Sequence, residues 1–211
     1  VPDQHGKGIC SNVVSLLVLE GDTESVFYPL IRDRFLRGIR VELRQVHSGG
    51  NINKQVLSKI FTYTYNNPGN LVRVYCCSDT DRNELRATPL DIGYVRELVK
   101  SSQMTNVLSV DAIMADPEIE AWFFYDIEGI YGFLGAKKSK RNPRKYKNAG
   151  NLGREELQRL FGQFQKTYVP GNRAENFIRN LDLDKIKTCC RELRVGIERI
   201  QTQATNLKKH I

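Results

Sequence analysis

The stretch Val13-Val14-Ser15-Leu16-Leu17-Val18-Leu19-Glu20-Gly21-Asp22-Thr23-Glu24 decides the fold. From Val13 to Leu19 the chain is almost wholly apolar and rich in valine. A run of that length reads as a strand buried on both faces, as in a parallel sheet, where an alternating run would mean one wet face. Gly21-Asp22 breaks it, and Asp22 or Thr23 can cap the helix that follows. In that helix Phe27, Leu30, Ile31 and Phe35 share one face while Arg32, Asp33 and Arg37 lie elsewhere, and Gly38 stops it.

Working outward, strands and helices continue to alternate. Ile39 to Val46 alternates apolar and polar, a strand with one face less buried. Ser48-Gly49-Gly50-Asn51 turns the chain into a helix over about Asn53 to Tyr65, and Asn66-Asn67-Pro68-Gly69 is a strong turn. Leu71 to Cys77 is a third strand running straight into Ser78-Asp79-Thr80-Asp81. Pro89 opens a helix to about Lys100. Val107 to Met114 is a fourth strand, followed by Asp116-Pro117 and an apolar helix through Trp122 and Phe124. This rhythm predicts an α/β fold, a doubly wound, mostly parallel four-stranded sheet with helices on both faces.

The character changes near Gly135. Lys137 to Lys147 carries seven Lys or Arg and no acid, and beyond Gly153 only helical patterns remain, over about Arg154 to Tyr168 and Asp182 to Leu207. The expected organisation is an N-terminal arm over 1–12, a core over 13–135, and a basic loop with a C-terminal helical extension over 136–211. The net charge of +8 favours an acidic partner. The longest apolar runs are far too short for a bilayer, so no membrane association is expected. The polar start shows no secretory signal. Cys10, Cys76-Cys77 and Cys189-Cys190 lack zinc-type spacing; Cys76 and Cys77 close an apolar run and read as buried thiols, and a reducing cytoplasm fits best.

Acids gather where three of the expected strands end: Glu20 after the first, Asp79 and Asp81 after the third, and Asp116, Glu118 and Glu120 after the fourth. Open parallel sheets bind ligands in the crevice beyond the carboxyl ends of their strands, so carboxylates from distant stretches would converge on one rim. Glu24, one helical turn past Glu20, can lean over the same rim. Packed carboxylates repel one another unless a cation neutralises them. Oxygen donors without His or Cys suit Mg2+ or Mn2+ and not zinc. Two such ions can activate a water and stabilise the leaving oxygen of a phosphodiester. Each acid also has a plain reading: Glu20-Gly21-Asp22 as a turn and helix start, Asp79 and Asp81 as turn and cap residues, Glu120 as an exposed helix charge. Their joint occurrence at strand ends favours a site.

These residues resemble the motifs of Toprim-like nucleases. Leu17-Val18-Leu19-Glu20-Gly21-Asp22-Thr23-Glu24 resembles the first Toprim motif, and Ser78-Asp79-Thr80-Asp81 resembles the Asp-x-Asp motif after the third strand. Asp116-Pro117-Glu118-Ile119-Glu120-Ala121-Trp122 is similar to a segment of small stand-alone Toprim proteins from bacterial defence loci, relatives of the overcoming-lysogenization-defect nucleases. The resemblance spans about residues 13 to 128. It implies a parallel Toprim sheet and metal-dependent chemistry on a phosphodiester, with Glu20 as metal ligand or general acid/base and Asp79 and Asp81 as metal-binding, catalytic aspartates. It further implies Glu24 as an additional metal ligand and Glu120 as completing a second ion's shell, with Glu118 in reserve. It points to an effector of anti-phage defence that works with an ATPase, and a homo-oligomer is compatible with it. No tyrosine-nucleophile domain of topoisomerase kind, zinc ribbon or polymerase module is recognisable, which leaves hydrolysis as the simplest chemistry.

The basic residues Lys137, Lys138, Lys140, Arg141, Arg144, Lys145 and Lys147 could track the phosphate backbone of a nucleic acid, or form a solvated loop. His47 near Gly49-Gly50 is more simply a structural or exposed histidine, and that glycine pair lacks the spacing of a phosphate loop. Two other functions fit the same residues: a non-catalytic subunit that keeps the fold and binds nucleic acid or protein, and a phosphotransferase using the same cluster.

Overall fold

The strands β1 (Val13–Glu20), β2 (Val41–Val46), β3 (Leu71–Asp79) and β4 (Val107–Ala115) form one all-parallel sheet in the spatial order β2-β1-β3-β4. This computed structural model describes residues 12–46, 50–80, 88–148 and 152–208, with side chains through 204. Successive side chains of a strand point to opposite faces, and here both faces are covered. Leu17 and Leu19 of β1 join Tyr75, Cys77, Ile113 and Ala115 in one core cluster, while Val14, Leu16 and Val18 join Val72, Val74, Cys76 and Val110 in the other. The expected α/β class, with a parallel sheet and helices on both faces, is what the chain adopts. The apolar run of β1 is continuous because β1 is an interior strand with both faces dry.

Helices α1 (Asp22–Phe35), α2 (Ile52–Asn66) and α3 (Ile92–Ser101) follow the first three strands. α2 and α3 pack on the valine-rich face, and α1 packs on the other through Phe27, Tyr28 and Ile31. α3 begins later than Pro89 suggests, because Asp91 supplies the cap: its Oδ1 accepts the Tyr94 N–H at 2.9 Å. Pro89 is held outside the helix, its carbonyl accepting from Asn53 Nδ2 at 3.0 Å.

After β4 come α4 (Ile119–Phe123), a short 3-10 turn over Phe124–Asp126, and α5 (Ile127–Leu134). The remainder is helical as expected: α6 (Arg154–Gln163), α7 (Glu175–Arg179), α8 (Leu183–Cys189) and α9 (Arg191–Lys208). The single helix anticipated from Asp182 onward is two, because Cys190 is extended between α8 and α9. α6 stops at Gln163, well short of the anticipated Tyr168. Leu157, Leu160, Phe161, Phe177, Ile186, Leu193, Ile197 and Ile200 of these helices share one core cluster with the sheet residues Leu17, Tyr75 and Ile113. The extension is therefore packed against the sheet. No described helix is long and apolar enough to cross a membrane.

Candidate metal centre

The sheet order reverses between β1 and β3, the place where an open parallel sheet leaves a crevice beyond its strand ends. Leu19 stands opposite Cys77 in the register, so Glu20 falls beside Ser78, whose Oγ donates a hydrogen bond to Glu20 Oε2. Asp79 is the last residue of β3 and stands opposite Ala115, the last of β4. Register alone thus brings the first two acidic motifs to one rim.

Gly21 makes the turn out of β1. Its φ of +94° lies in the region that favours glycine, and a Cβ there would come within 2.7 Å of Glu24 Oε2. The Glu-Gly sequence therefore has a steric cause: the chain must turn sharply while the Glu24 carboxylate folds back over the turn. Gln45 Nε2 of β2 donates to the Gly21 carbonyl at 3.0 Å and holds that turn in place.

Asp79 Oδ1 accepts the main-chain N–H of Ile119 at 2.8 Å, so the end of β3 fixes the start of α4. α4 carries Glu120, which is fully buried at 0% exposure. One oxygen of Glu120, Oε1, accepts from Thr23 Oγ1 at 3.1 Å, from the Tyr168 hydroxyl at 3.0 Å and from Arg154 Nε at 3.3 Å. The other, Oε2, is buried with no hydrogen-bond partner among the described residues. Glu118 Oε1 accepts the Arg154 main-chain N–H at 2.7 Å, at the start of α6, and Glu118 Oε2 lies 3.7 Å from Arg154 Nη2. A Cβ on Gly153 would run into the Glu118 carboxylate, so the absent side chain lets α6 approach it.

Asp79, Glu118 and Glu120 each present an oxygen such that all three lie within 4.8 Å of one another. Glu20 and Glu24 stand outside this triad but close enough to be felt: Glu24 senses the charges of Asp79, Glu120 and Glu20. Burial, reinforced by those charges, pushes Glu24 up to about 9. Burial and then the Glu120 charge push Asp79 up to about 8, against the opposing pull of the Ile119 N–H and Arg154. Without a cation, these acids are not all ionised near neutral pH.

Of the residues anticipated from sequence, the structure gathers Glu20, Glu24, Asp79 and Glu120 around one rim, and the reserve candidate Glu118 stands with Asp79 and Glu120. Glu120 is not an exposed helix charge. Asp81 and His47 lie outside the described residues. Sequence reasoning did not anticipate Thr23, Arg154 and Tyr168. Thr23 stood in view as a helix-start residue beside Glu24, but nothing local marks Arg154 or Tyr168.

In the basic segment, Lys137, Lys138, Lys140, Arg144, Lys145 and Lys147 are exposed. Arg141 is engaged internally, donating to the Ala136 carbonyl at 3.0 Å and to Glu128 at 2.8 Å, and Lys145 donates to Glu156 of α6 at 2.8 Å. Tyr146 is buried and stacks on Phe124, with centroids 5.4 Å apart. The segment is thus tied down on elements that adjoin α4 and α6.

No family model matches the chain, and no curated protein matches it. Among solved structures, the C-terminal region of the OLD protein of Xanthomonas campestris pv. campestris is similar, at 16% identity and a TM-score of 0.43, covering 96% of this chain and 100% of that one. The residues of this chain, and not that likeness, carry the functional reading.

Proposed function

We propose that this chain is a divalent-metal-dependent nuclease that hydrolyses phosphodiester bonds of DNA or RNA. The observation that carries this reading is Glu120, a member of the triad whose Oε2 is sealed from solvent without a hydrogen-bond partner among the described residues. A buried, unsatisfied carboxylate oxygen costs about 1–3 kcal/mol or more, and a cation is the natural remedy in an acidic setting. The donor set is all oxygen, which fits Mg2+ or Mn2+. Asp79, Glu118 and Glu120 are the residues that would hold the ion, with Glu20 and Glu24 beside them and Asp81 added by the motif resemblance. When bound, such an ion supplies an activated water and charge stabilisation at a phosphodiester.

The chain's own groups serve that chemistry in distinct ways. Asp79 ties the strand end to α4, so two of the acids keep a fixed spacing. Arg154 places a cation against Glu118 and Glu120. The exposed lysines and arginine between Lys137 and Lys147 offer a polyanion a place to lie, in keeping with the positive net charge. The motif resemblance extends the reading to an effector of anti-phage defence acting with an ATPase.

The test is incubation of purified protein with plasmid, single-stranded DNA and tRNA, in Mg2+, Mn2+ or EDTA, alongside Asp79→Ala and Glu120→Gln. The expected outcome is cleavage that requires the metal and is lost in both variants. Cleavage that survives both substitutions overturns the assignment of the site. If the wild type is silent, calorimetric titration with Mn2+ decides whether the metal centre exists.

A further inference from the structure

We infer that Tyr168, with Thr23, is a positioning residue for the metal centre, holding Glu120 by one oxygen so that the other is kept for the ion. The inference rests on the metal-centre reading above and names how the helical extension takes part in it.

Three donors from three separate parts of the chain converge on Glu120 Oε1: the Thr23 hydroxyl from the start of α1, the Tyr168 hydroxyl from the segment after α6, and Arg154 Nε from the start of α6. A carboxylate oxygen has two lone pairs, so three donors leave it no acceptor capacity to spare. All of the asymmetry falls on one atom. Oε2 of the same group is buried and receives none among the described residues. Donors meant simply to solvate a buried carboxylate would be shared between its oxygens. Donors confined to one oxygen fix the plane of the group and leave the other for a partner that is not a hydrogen-bond donor. Hydrogen bonds of this kind to a ligating carboxylate typically change metal affinity by about 10–100-fold when removed.

Tyr168 is itself held rigidly. It is 2% exposed, and its ring meets Phe161 edge-on at 5.5 Å and Phe177 edge-on at 5.9 Å. Tyr168→Phe keeps the ring and its packing and deletes the hydroxyl that donates to Glu120. Thr23→Val does the same in place of the second hydroxyl.

The experiment is calorimetric titration of the full chain with Mn2+ for the wild type, Tyr168→Phe, Thr23→Val and, as a structural control, Tyr131→Phe, which deletes a buried hydroxyl that instead accepts the Asn142 N–H. Electron paramagnetic resonance of the bound Mn2+ reports its ligand symmetry in parallel. The inference expects about 10–100-fold weaker binding and an altered spectrum in Tyr168→Phe, a loss in the same direction in Thr23→Val, and wild-type behaviour in Tyr131→Phe. Thr23→Val carries the test by itself if Tyr168→Phe does not fold. Wild-type binding with both site variants within twofold of it overturns the positioning role and leaves the metal centre standing. An equal loss in Tyr131→Phe overturns it too, since the effect would then be general to the core. Absence of Mn2+ binding by the wild type overturns both readings.

Discussion

Asp79 Oδ1 accepts the main-chain N–H of Ile119 at 2.8 Å across 40 positions of sequence, which makes the acid at the end of β3 the cap of the helix that carries Glu120. A single side chain therefore has two separable duties, an acceptor for α4 and a negative charge for the cluster. Asp79→Asn keeps an acceptor oxygen and loses the charge, whereas Asp79→Ala loses both. In EDTA, Asp79→Asn is expected to melt at or above the wild type, because repulsion in the cluster is relieved. Asp79→Ala is expected to be less stable than Asp79→Asn by about 1 kcal/mol, the usual worth of a cap. Neither should bind Mn2+ as the wild type does. Thermal unfolding with the two variants side by side checks this, and equal stability of Asn and Ala would show that the cap is immaterial.

Glu24 predicts a pH dependence with a definite sign. In the unfolded chain it ionises near 4.5, and in the folded chain burial and its acidic neighbours hold it up to about 9. Between those values the folded state binds more protons than the unfolded one, so this group's contribution to stability is lost as pH rises. The slope is at most about 1.4 kcal/mol per pH unit. Glu24→Gln cannot ionise. In EDTA its stability relative to the wild type should grow between about pH 5 and pH 8, and Mg2+ should shrink that advantage. Parallel pH profiles of the two proteins would contradict the burial and crowding of this carboxyl.

Arg154 is the described cation that contacts both Glu118 and Glu120. It is partly exposed, so its pairing is worth less than that of a sealed ion pair, about 1–2 kcal/mol after solvent screening. Removing it by Arg154→Gln should lower the melting temperature in EDTA and enlarge the rise that Mg2+ produces, because the ion then neutralises acids with less internal help. A smaller Mg2+ response than in the wild type would mean that Arg154 supports the ion and does not merely stand against the same acids.

The basic segment divides into two groups with different expected phenotypes. Alanine at Lys137, Lys138, Lys140, Arg144 and Lys147 together should weaken binding to DNA and reduce the slope of log affinity against log salt by about 0.9 for each phosphate no longer neutralised, with the fold intact. Arg141→Ala removes bonds to the Ala136 carbonyl and to Glu128, and should cost about 1 kcal/mol of stability. Binding isotherms over a salt series and thermal melts separate the two. An unchanged salt slope in the fivefold variant would take this segment out of nucleic-acid recognition.

Gly21→Ala combines a residue at φ +94° with a Cβ driven against Glu24 Oε2. Loss of more than about 1 kcal/mol is expected from the backbone alone, together with displacement of Glu24. Thermal unfolding measures the first. Disappearance of the Glu24 pH slope described above reports the second.

The sheet was legible from sequence because its signal is local. The Val13–Leu19 run, the third-strand run ending at Asp79 and the turns between them are set by neighbours in the chain, and strand ends carry their acids with them. The convergence of Glu20, Asp79 and Glu120 followed from a general property of parallel sheets, with no pairwise distance needing to be known. What tertiary structure alone decided is which oxygens meet. It placed Glu118 in the triad as well as Glu120, drew Arg141 and Lys145 of the basic run into internal pairs, and divided the last helix at Cys190. It also brought Tyr168 and Arg154 to Glu120 from 48 and 34 positions away. Hydrophobic periodicity fixes which face of an element is buried, but a hydrogen bond between distant side chains depends on how whole helices dock, and no pattern of neighbours encodes that.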